Sequence, residues 1–290
     1  MTKPNLYISG FAKSGTTVLY NYFYGHPDVY CNPYIKEPRH FSAEFFTKGR
    51  GHRQFFKNII YKESDYLNLY KKAGDEKYIL DGSVYYSYFR GVAAKIKKFN
   101  KASRIILCIR NPIDRFNSHY MMHLRDGFTK DSVGSFLKSP GTSSGVDLLK
   151  AGLYSDAIRE YYEIFGRDRV YIAVYDDLQS NHERYYSKIC DFLEIPFELV
   201  ENELVNVSGR PKSLMLMSMI RLIKRIVPRF LLTRMKFQFK TKINNIFYNK
   251  STLTKEALPD DVREKLVEYY KDDILKTGEL IGRDLSKWID

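Results

Sequence analysis

The feature that most constrains the fold is a glycine-rich loop that directly follows a short apolar run near the start of the chain. The apolar run covers residues 6–9, and residues 10–17 read Gly-Phe-Ala-Lys-Ser-Gly-Thr-Thr. Small residues between a strand and a helix let backbone N–H groups approach an oxyanion, which the positive end of the helix dipole also attracts. The nucleoside-triphosphate pattern requires a lysine after its second glycine, but Thr16 stands there and the loop's lysine is Lys13. The sequence therefore predicts an anion site that departs from the ordinary triphosphate site.

Strands and helices alternate along most of the chain. The clearest strand, over residues 104–110, has an unbroken apolar centre, which indicates burial on both faces in a parallel sheet. Further strands are predicted over residues 6–9, 78–81 and 170–175, and helices over residues 16–24, 89–99, 112–124, 154–165, 180–193, 214–226 and 260–281. The alternation predicts an α/β fold of three αβα layers around a central parallel sheet, with ligands at the carboxyl ends of the strands.

Composition indicates a folded protein in a reducing compartment. The 290 residues are 44% hydrophobic and 15% aromatic, which excludes a disordered chain and suits one domain over residues 1–290. Cys31, Cys108 and Cys190 are odd in number and widely spaced, so neither a disulfide framework nor a zinc ribbon is indicated. Strand-like residues from residue 6 leave no room for a signal peptide, and no apolar run of about 18 residues suggests a transmembrane segment. The predicted location is cytoplasmic.

The formal charge of +13 is concentrated in one segment. Eleven Lys or Arg residues and no Asp or Glu lie between residues 210 and 250, which leaves the rest of the chain near neutral. Such a local charge points to a local anionic partner rather than to a generally basic nucleic-acid-binding fold, so no nucleic-acid partner is expected. The sequence predicts a basic helical insertion or lid at about residues 208–250, which could also contact an anionic polymer or a membrane surface.

A second candidate anion site follows the strand at residues 104–110. Arg110 leaves the end of that strand, and Ser118 lies two turns into the helix that Pro112 begins. An arginine can bind a phosphate through two parallel hydrogen bonds, and a serine hydroxyl can complete the site. The alternative is an Arg110–Asp114 ion pair that only closes the loop.

The two motifs together resemble the family of sulfotransferases that use 3′-phosphoadenosine-5′-phosphosulfate (PAPS). The resemblance rests on the Lys-Ser-Gly-Thr-Thr loop followed by Arg-Asn-Pro-x-Asp-Arg-x-x-Ser at residues 110–118. It implies the P-loop NTPase-like sulfotransferase fold, PAPS as donor and adenosine 3′,5′-bisphosphate (PAP) as product. It also implies that the 5′-phosphosulfate is bound by Lys13, Ser14, Gly15, Thr16 and Thr17, and the 3′-phosphate by Arg110 and Ser118.

The segment at residues 36–41, Lys-Glu-Pro-Arg-His-Phe, is similar to the glycan-type branch of that family. The resemblance implies that Glu37 is the catalytic base, while branches that use histidine make His40 its rival. It also gives Lys13 a catalytic role, because its charge can stabilise the departing phosphate. By itself, Glu37 could equally be a solvated carboxylate paired with Lys36 or Arg39. The predicted reaction is sulfuryl transfer to a hydroxyl or amine acceptor, with a glycan favoured and a small molecule also possible.

One departure from the family concerns the acceptor end. Heparan-type members carry a lysine in a segment whose counterpart here, residues 81–86, reads Asp-Gly-Ser-Val-Tyr-Tyr, so Gly82 replaces that lysine. Heparan-like specificity is therefore not implied, although Asp81, Ser83 or Tyr86 could still line the acceptor pocket.

Two other classes of function stay open, and no metal site is expected. A P-loop nucleotide kinase-like enzyme is disfavoured by Thr16 and by the lack of a carboxylate placed for Mg²⁺. A non-catalytic module could instead hold an anionic polymer through residues 210–250. His119 and His123 lie four apart in a predicted helix but lack a third ligand, so they do not predict a metal site.

Overall fold

A sheet of five parallel strands forms the centre of the fold. The structure is a computed structural model, and it describes residues 2–46, 59–126, 128–138, 142–143, 146–199 and 257–290. The strands are β1 (Leu6–Gly10), β2 (Val29–Cys31), β3 (Tyr78–Asp81), β4 (Arg104–Ile109) and β7 (Val170–Val174), with a separate antiparallel pair of β5 (Thr142–Ser143) and β6 (Val146–Asp147). Their order across the sheet is β2-β3-β1-β4-β7. The predicted basic segment at about 208–250, with its helix at 214–226, lies outside the described residues.

Helices cover both faces of the sheet. They are α1 (Thr16–Tyr24), α2 (Glu63–Asn68), α3 (Val92–Phe99), α4 (Pro112–Asp126), α5 (Val133–Lys138), α6 (Ser155–Phe165), α7 (Tyr175–Ser180), α8 (His182–Leu193) and α9 (Asp260–Ile281), and a 3-10 helix covers His40–Phe46. Within β4, Ile105 and Leu107 join the cluster packed with α3, α6 and α9, whereas Ile106 and Cys108 join the one packed with α1 and α8. This alternation within one strand confirms the three-layer α/β fold.

The sequence located most elements but missed the shortest ones. The predicted bounds of α1, β3 and α9 agree with the structure, and the other predicted elements among the described residues shift by a few residues at their ends. β2 was missed because three residues are too few for a hydrophobic period, and its pairing with β3 is non-local. Among the described residues, no helix combines the length and apolar composition needed to span a bilayer.

The prediction that Asp81, Ser83 and Tyr86 line an acceptor pocket is wrong, because all three are fully buried. The Asp81 carboxyl accepts hydrogen bonds from the Tyr66 hydroxyl at 2.7 Å, the Tyr86 hydroxyl at 2.9 Å and the Ser83 N–H at 2.9 Å. These three hydrogen bonds satisfy the carboxyl oxygens of Asp81, which would be costly to bury without partners. The end of β3 therefore serves as a buried polar anchor.

Asp81 should make the stability of the protein depend on pH. Burial raises the pKa of Asp81 to about 6, although hydrogen bonds from Ser83, Tyr66 and Tyr86 oppose the rise. The folded state then holds the proton more tightly than the unfolded chain, so the free energy of unfolding should fall as pH rises from about 4 to about 6 and stay level above that. Across this window, the difference between wild type and Asp81→Asn should change by about 3 kcal/mol. Urea unfolding at several pH values measures it, and parallel curves for the two proteins would contradict the assignment.

Candidate active site

The predicted anion-binding residues meet at the carboxyl edge of the sheet. β1 ends in the glycine-rich loop, and its neighbour β4 ends at Arg110. The chain runs from β1 toward the edge of the sheet formed by β2, and from β4 toward the opposite edge formed by β7. The crevice between β1 and β4 is therefore the topological switch point of the sheet. β7 ends beside β4 and is followed directly by Tyr175. The fold thus places both predicted phosphate-binding motifs at one crevice.

The glycine-rich loop at residues 10–17, called the anion loop below, has a strained and closely packed backbone. Gly15 has a left-handed backbone (φ 86°), and a Cβ there would lie 2.8 Å from Cδ2 of Tyr175, so a larger residue would clash. Lys13 also has a positive φ of 76°, which is strained for a residue with a side chain. Ser14 is buried, and its hydroxyl has no hydrogen-bond partner among the described residues. A buried orphan hydroxyl in an anion loop fits an oxyanion ligand.

Arg110 is aimed at the same crevice. Its side chain is 8% exposed, and its guanidinium lies 4.6 Å from the centre of the Tyr175 ring. Nη1 donates to the Lys13 carbonyl at 3.3 Å, while Nη2 reaches Asp114 Oδ2 only at 3.5 Å, so the predicted ion pair exists but is long. Nε is buried without a partner in the described part of the chain. Ser118 lies half-buried in α4, two turns after the start of the helix.

Glu37 is paired and ionised. Its Oε2 accepts from Arg39 Nη2 at 2.7 Å and from Arg39 Nε at 3.2 Å, and its Oε1 lies 3.5 Å from Lys36 Nζ. Burial acts to raise the pKa of Glu37, but the charges and hydrogen bonds of Arg39 and Lys36 outweigh it and lower the pKa below its ordinary value. The pairing with both cations, considered from sequence as an alternative, is therefore present. The pair is partly shielded from water, since the Glu37 side chain is only 22% exposed.

Lys36 connects Glu37 to the anion loop. Its ammonium donates to Thr17 Oγ1 at 3.1 Å and to Thr16 Oγ1 at 3.3 Å, both at the start of α1. Sequence reasoning considered Lys36 only as a partner of Glu37 and missed these contacts with the loop. The available signal was a lysine directly before the candidate base, but nothing local indicates that it reaches residues about twenty positions earlier.

His40 has different partners from Glu37. Its Nδ1 donates to the Ile60 carbonyl at 3.0 Å, which assigns the proton to that nitrogen, and its ring stacks on Tyr66 with centres 4.5 Å apart. The described contacts thus join Glu37, through Lys36, to the anion loop and engage His40 with Ile60 and Tyr66.

The two histidines of α4 are packed against each other. His119 Nδ1 accepts from Arg115 Nη1 at 3.2 Å, and the rings of His119 and His123 are 5.2 Å apart and edge-to-face. Burial, followed by the charge of Arg115, lowers the pKa of His119 well below its usual range, so the ring is neutral. The described residues contain no group of three or more side chains that could hold a metal ion.

Comparison with known proteins assigns the family. The family model for the sulfotransferase domain matches residues 3–218, so this chain belongs to the sulfotransferase family. A sulfotransferase from Alicyclobacillus acidocaldarius has a similar structure, with a TM-score of 0.75 at 22% identity over 100% of both chains. Mouse sulfotransferase SULT7A1, solved in complex with PAP, has a TM-score of 0.50 at 13% identity, over 93% of this chain and 84% of its own. No curated protein matches the sequence.

Family membership makes the chain a PAPS-dependent sulfotransferase, with PAP as the product. The sulfotransferase assignment therefore supersedes the alternative of a nucleotide kinase-like enzyme. The residues at the crevice fit such a donor, because the orphan Ser14 hydroxyl and the orphan Arg110 Nε are buried donors that an oxyanion would satisfy. The two orphan groups belong to two different motifs, as a donor with two separate phosphate groups requires.

Proposed function

We propose that the protein transfers the sulfuryl group of PAPS to a hydroxyl group of a carbohydrate, with Glu37 as the general base. PAPS supplies an activated sulfuryl group whose sulfur–oxygen bond to the 5′-phosphate breaks as the new bond from sulfur to the acceptor oxygen forms. Glu37 takes the acceptor's proton, and the electron pair of the broken bond stays on the phosphate of PAP. The observation that supports this proposal is the hydrogen bonding of Lys36 to both Glu37 and the loop hydroxyls, which links the proposed base to the loop.

The other site residues divide between the two ends of the donor. We assign the 5′-phosphosulfate to the loop, where Lys13 offers a charge to the departing phosphate and Ser14, Gly15, Thr16 and Thr17 offer hydroxyl and backbone donors. The 3′-phosphate is assigned to Arg110 and Ser118 on the other side of the crevice. The 3.3 Å hydrogen bond from Arg110 to the Lys13 carbonyl supports this division, because it fixes one motif against the other.

Replacing Arg110 with methionine should weaken PAP binding about 10- to 100-fold, since a charge-assisted hydrogen bond contributes about 1.5–3 kcal/mol. Methionine keeps an unbranched apolar stem beside Tyr175. Calorimetry with PAP and with adenosine 5′-phosphate measures the effect, and the second ligand should bind almost as well as to wild type because it lacks the 3′-phosphate. Arg159→Met is the matched control, since Arg159 is exposed and pairs with Asp156 at 3.6 Å. Equal losses for both ligands would contradict the assignment.

The carbohydrate acceptor is the finer part of the proposal. It is supported by the similarity of residues 36–41 to the glycan-type branch and by an ionised carboxylate in the position of the base. A screen with sulfur-35-labelled PAPS should include oligosaccharides, amino sugars, phenols and lipid headgroups. Label on a sugar hydroxyl is the expected result. Transfer only to phenols, lipids or amines would overturn the carbohydrate assignment without affecting the donor site.

We further propose that the protein is cytoplasmic. A cytoplasmic location is supported by Cys31, Cys108 and Cys190, which are all buried and free of disulfides.

We also propose that residues 208–250 form a basic insertion that attracts an acidic acceptor. Deleting these residues should raise KM for an acidic acceptor while PAP affinity is kept, and loss of PAP affinity as well would contradict a role limited to the acceptor.

A further inference from the structure

Lys36 is a lysine buried in an unusual place. It lies in the connection between β2 and the 3-10 helix His40–Phe46, and its side chain is only 5% exposed. Lysine is rarely buried to this extent, because removing an ammonium from water is costly unless other groups pair with it. The described acceptors of hydrogen bonds from the Lys36 ammonium are Thr16, Thr17 and Glu37, which all belong to the candidate site.

The three hydrogens of the Lys36 ammonium have three acceptors. These are Thr17 Oγ1 at 3.1 Å, Thr16 Oγ1 at 3.3 Å and Glu37 Oε1 at 3.5 Å. A hydroxyl oxygen that accepts from an ammonium still has its own hydrogen to donate, and the adjacent charge makes it a stronger donor. One buried charge therefore polarises two hydroxyls of the anion loop and also holds a carboxylate.

The path of the Lys36 side chain depends on Gly82. A Cβ at residue 82 would lie 3.2 Å from Lys36 Cγ and 2.8 Å from Tyr20 Cδ2, both closer than ordinary contacts. The Gly82 N–H in turn donates to the Lys36 carbonyl at 3.2 Å. The aliphatic part of the Lys36 side chain thus occupies the space that a side chain at residue 82 would need. On this path the Lys36 ammonium reaches the loop.

We propose that Lys36 is the positioning residue that couples the candidate base to the anion loop: its ammonium orients the Thr16 and Thr17 hydroxyls toward a sulfuryl oxyanion and holds the Glu37 carboxylate beside them. The part of this inference that concerns the base rests on the proposed function. The charges that act on Glu37 are those of Arg39 and Lys36. Burial lowers the pKa of Lys36, the Glu37 charge and the Cys108 thiol oppose this, and Arg39 adds to it.

The first test measures the coupling without turnover. Carbon-13 titration of the Glu37 carboxyl, with its signal assigned by its loss in Glu37→Gln, should show a pKa higher by about one unit or more in Lys36→Met than in wild type. The matched control is Lys265→Met, which removes an exposed lysine paired with Asp261 at 3.1 Å and should leave the Glu37 pKa unchanged. An unchanged Glu37 pKa in Lys36→Met would overturn the coupling.

The second test separates positioning from a structural role. Lys36→Met should lower kcat about 100-fold while its PAP affinity falls by less than about tenfold, because the loop keeps its backbone donors. Retained turnover, or a loss of PAP affinity as large as the loss of turnover, would overturn the proposal. If Lys36→Met does not fold, Lys36→Gln carries the same test, since it keeps two hydrogen-bond donors without a charge.

The two tests also separate this inference from the proposed base. If Glu37→Gln keeps its turnover while Lys36→Met raises the Glu37 pKa, the base assignment fails and the coupling stands. If Glu37→Gln is inactive while the Glu37 pKa in Lys36→Met equals that of wild type, the base stands and the coupling fails.

Discussion

Replacing Glu37 with glutamine should lower kcat about 10²- to 10⁴-fold, the range that a positioned general base contributes. Glutamine keeps the size of the side chain and one acceptor oxygen for Arg39, but it cannot take a proton from the acceptor. PAP affinity should change little, because in the described part of the chain Glu37 is joined to the loop through Lys36. Steady-state kinetics with the acceptor found in the screen, together with calorimetry on PAP, measures both quantities.

Two further variants make this result specific. Glu194→Gln removes an exposed carboxylate that pairs with Arg104 and Lys77, and it should keep full turnover. His40→Asn tests the rival base and should keep most of the activity, since the His40 ring is engaged with Ile60 and Tyr66. Near-normal turnover in Glu37→Gln combined with an inactive His40→Asn would transfer the role of base to His40.

The expected pH dependence has a definite sign. The Glu37 pKa is lowered because Arg39 and Lys36 outweigh the effect of burial. The carboxylate is therefore ionised throughout the neutral range. The acidic limb of the kcat/KM profile should lie at a pH below the ordinary pKa of a glutamate, which is about 4.3. In Lys36→Met the same limb should move to higher pH, since one of the two cations is gone.

The sequence predicted those parts of the fold and site that depend on neighbouring residues. The glycine-rich loop is contiguous with β1 and α1, and Arg110 directly follows the apolar strand β4. In parallel sheets the carboxyl ends of strands share one edge, so two contiguous motifs at strand ends were enough to predict a shared site. The packing of β4 on both faces was equally readable from its uninterrupted apolar centre.

The parts that could not be predicted depend on contacts distant in the chain. Lys36 reaches Thr16 and Thr17 because the chain after β2 returns across the end of β3, and three residues gave no signal for β2. The similarity of residues 81–86 to a segment of heparan-type family members predicts Asp81 at the acceptor pocket, but its hydroxyl partners Tyr66 and Tyr86 bury it. Tyr175 was read as the end of a strand, and only the fold places its ring beside both Gly15 and Arg110.

Lys13 offers a prediction in which activity and stability move differently. Its backbone is left-handed, with a φ of 76°, a conformation that costs a residue with a side chain about 1 kcal/mol or more relative to glycine. Lys13→Gly should therefore lower kcat about 10²- to 10³-fold, through loss of a charge placed for the departing phosphate, while the melting temperature stays equal or rises slightly. Kinetics and thermal unfolding of the same samples measure the two effects.

Glu194→Gly is the matched control for Lys13→Gly. Glu194 also has a left-handed backbone, with a φ of 54°, but it ends α8 and is exposed, so glycine there should leave turnover unchanged. If the role of Lys13 were purely structural, Lys13→Gly would lose thermal stability and turnover together, since the Lys13 side chain would then act through packing. Turnover of Lys13→Gly within tenfold of wild type would contradict an electrostatic role for Lys13. The loop would then have to act through its backbone N–H groups and hydroxyls alone.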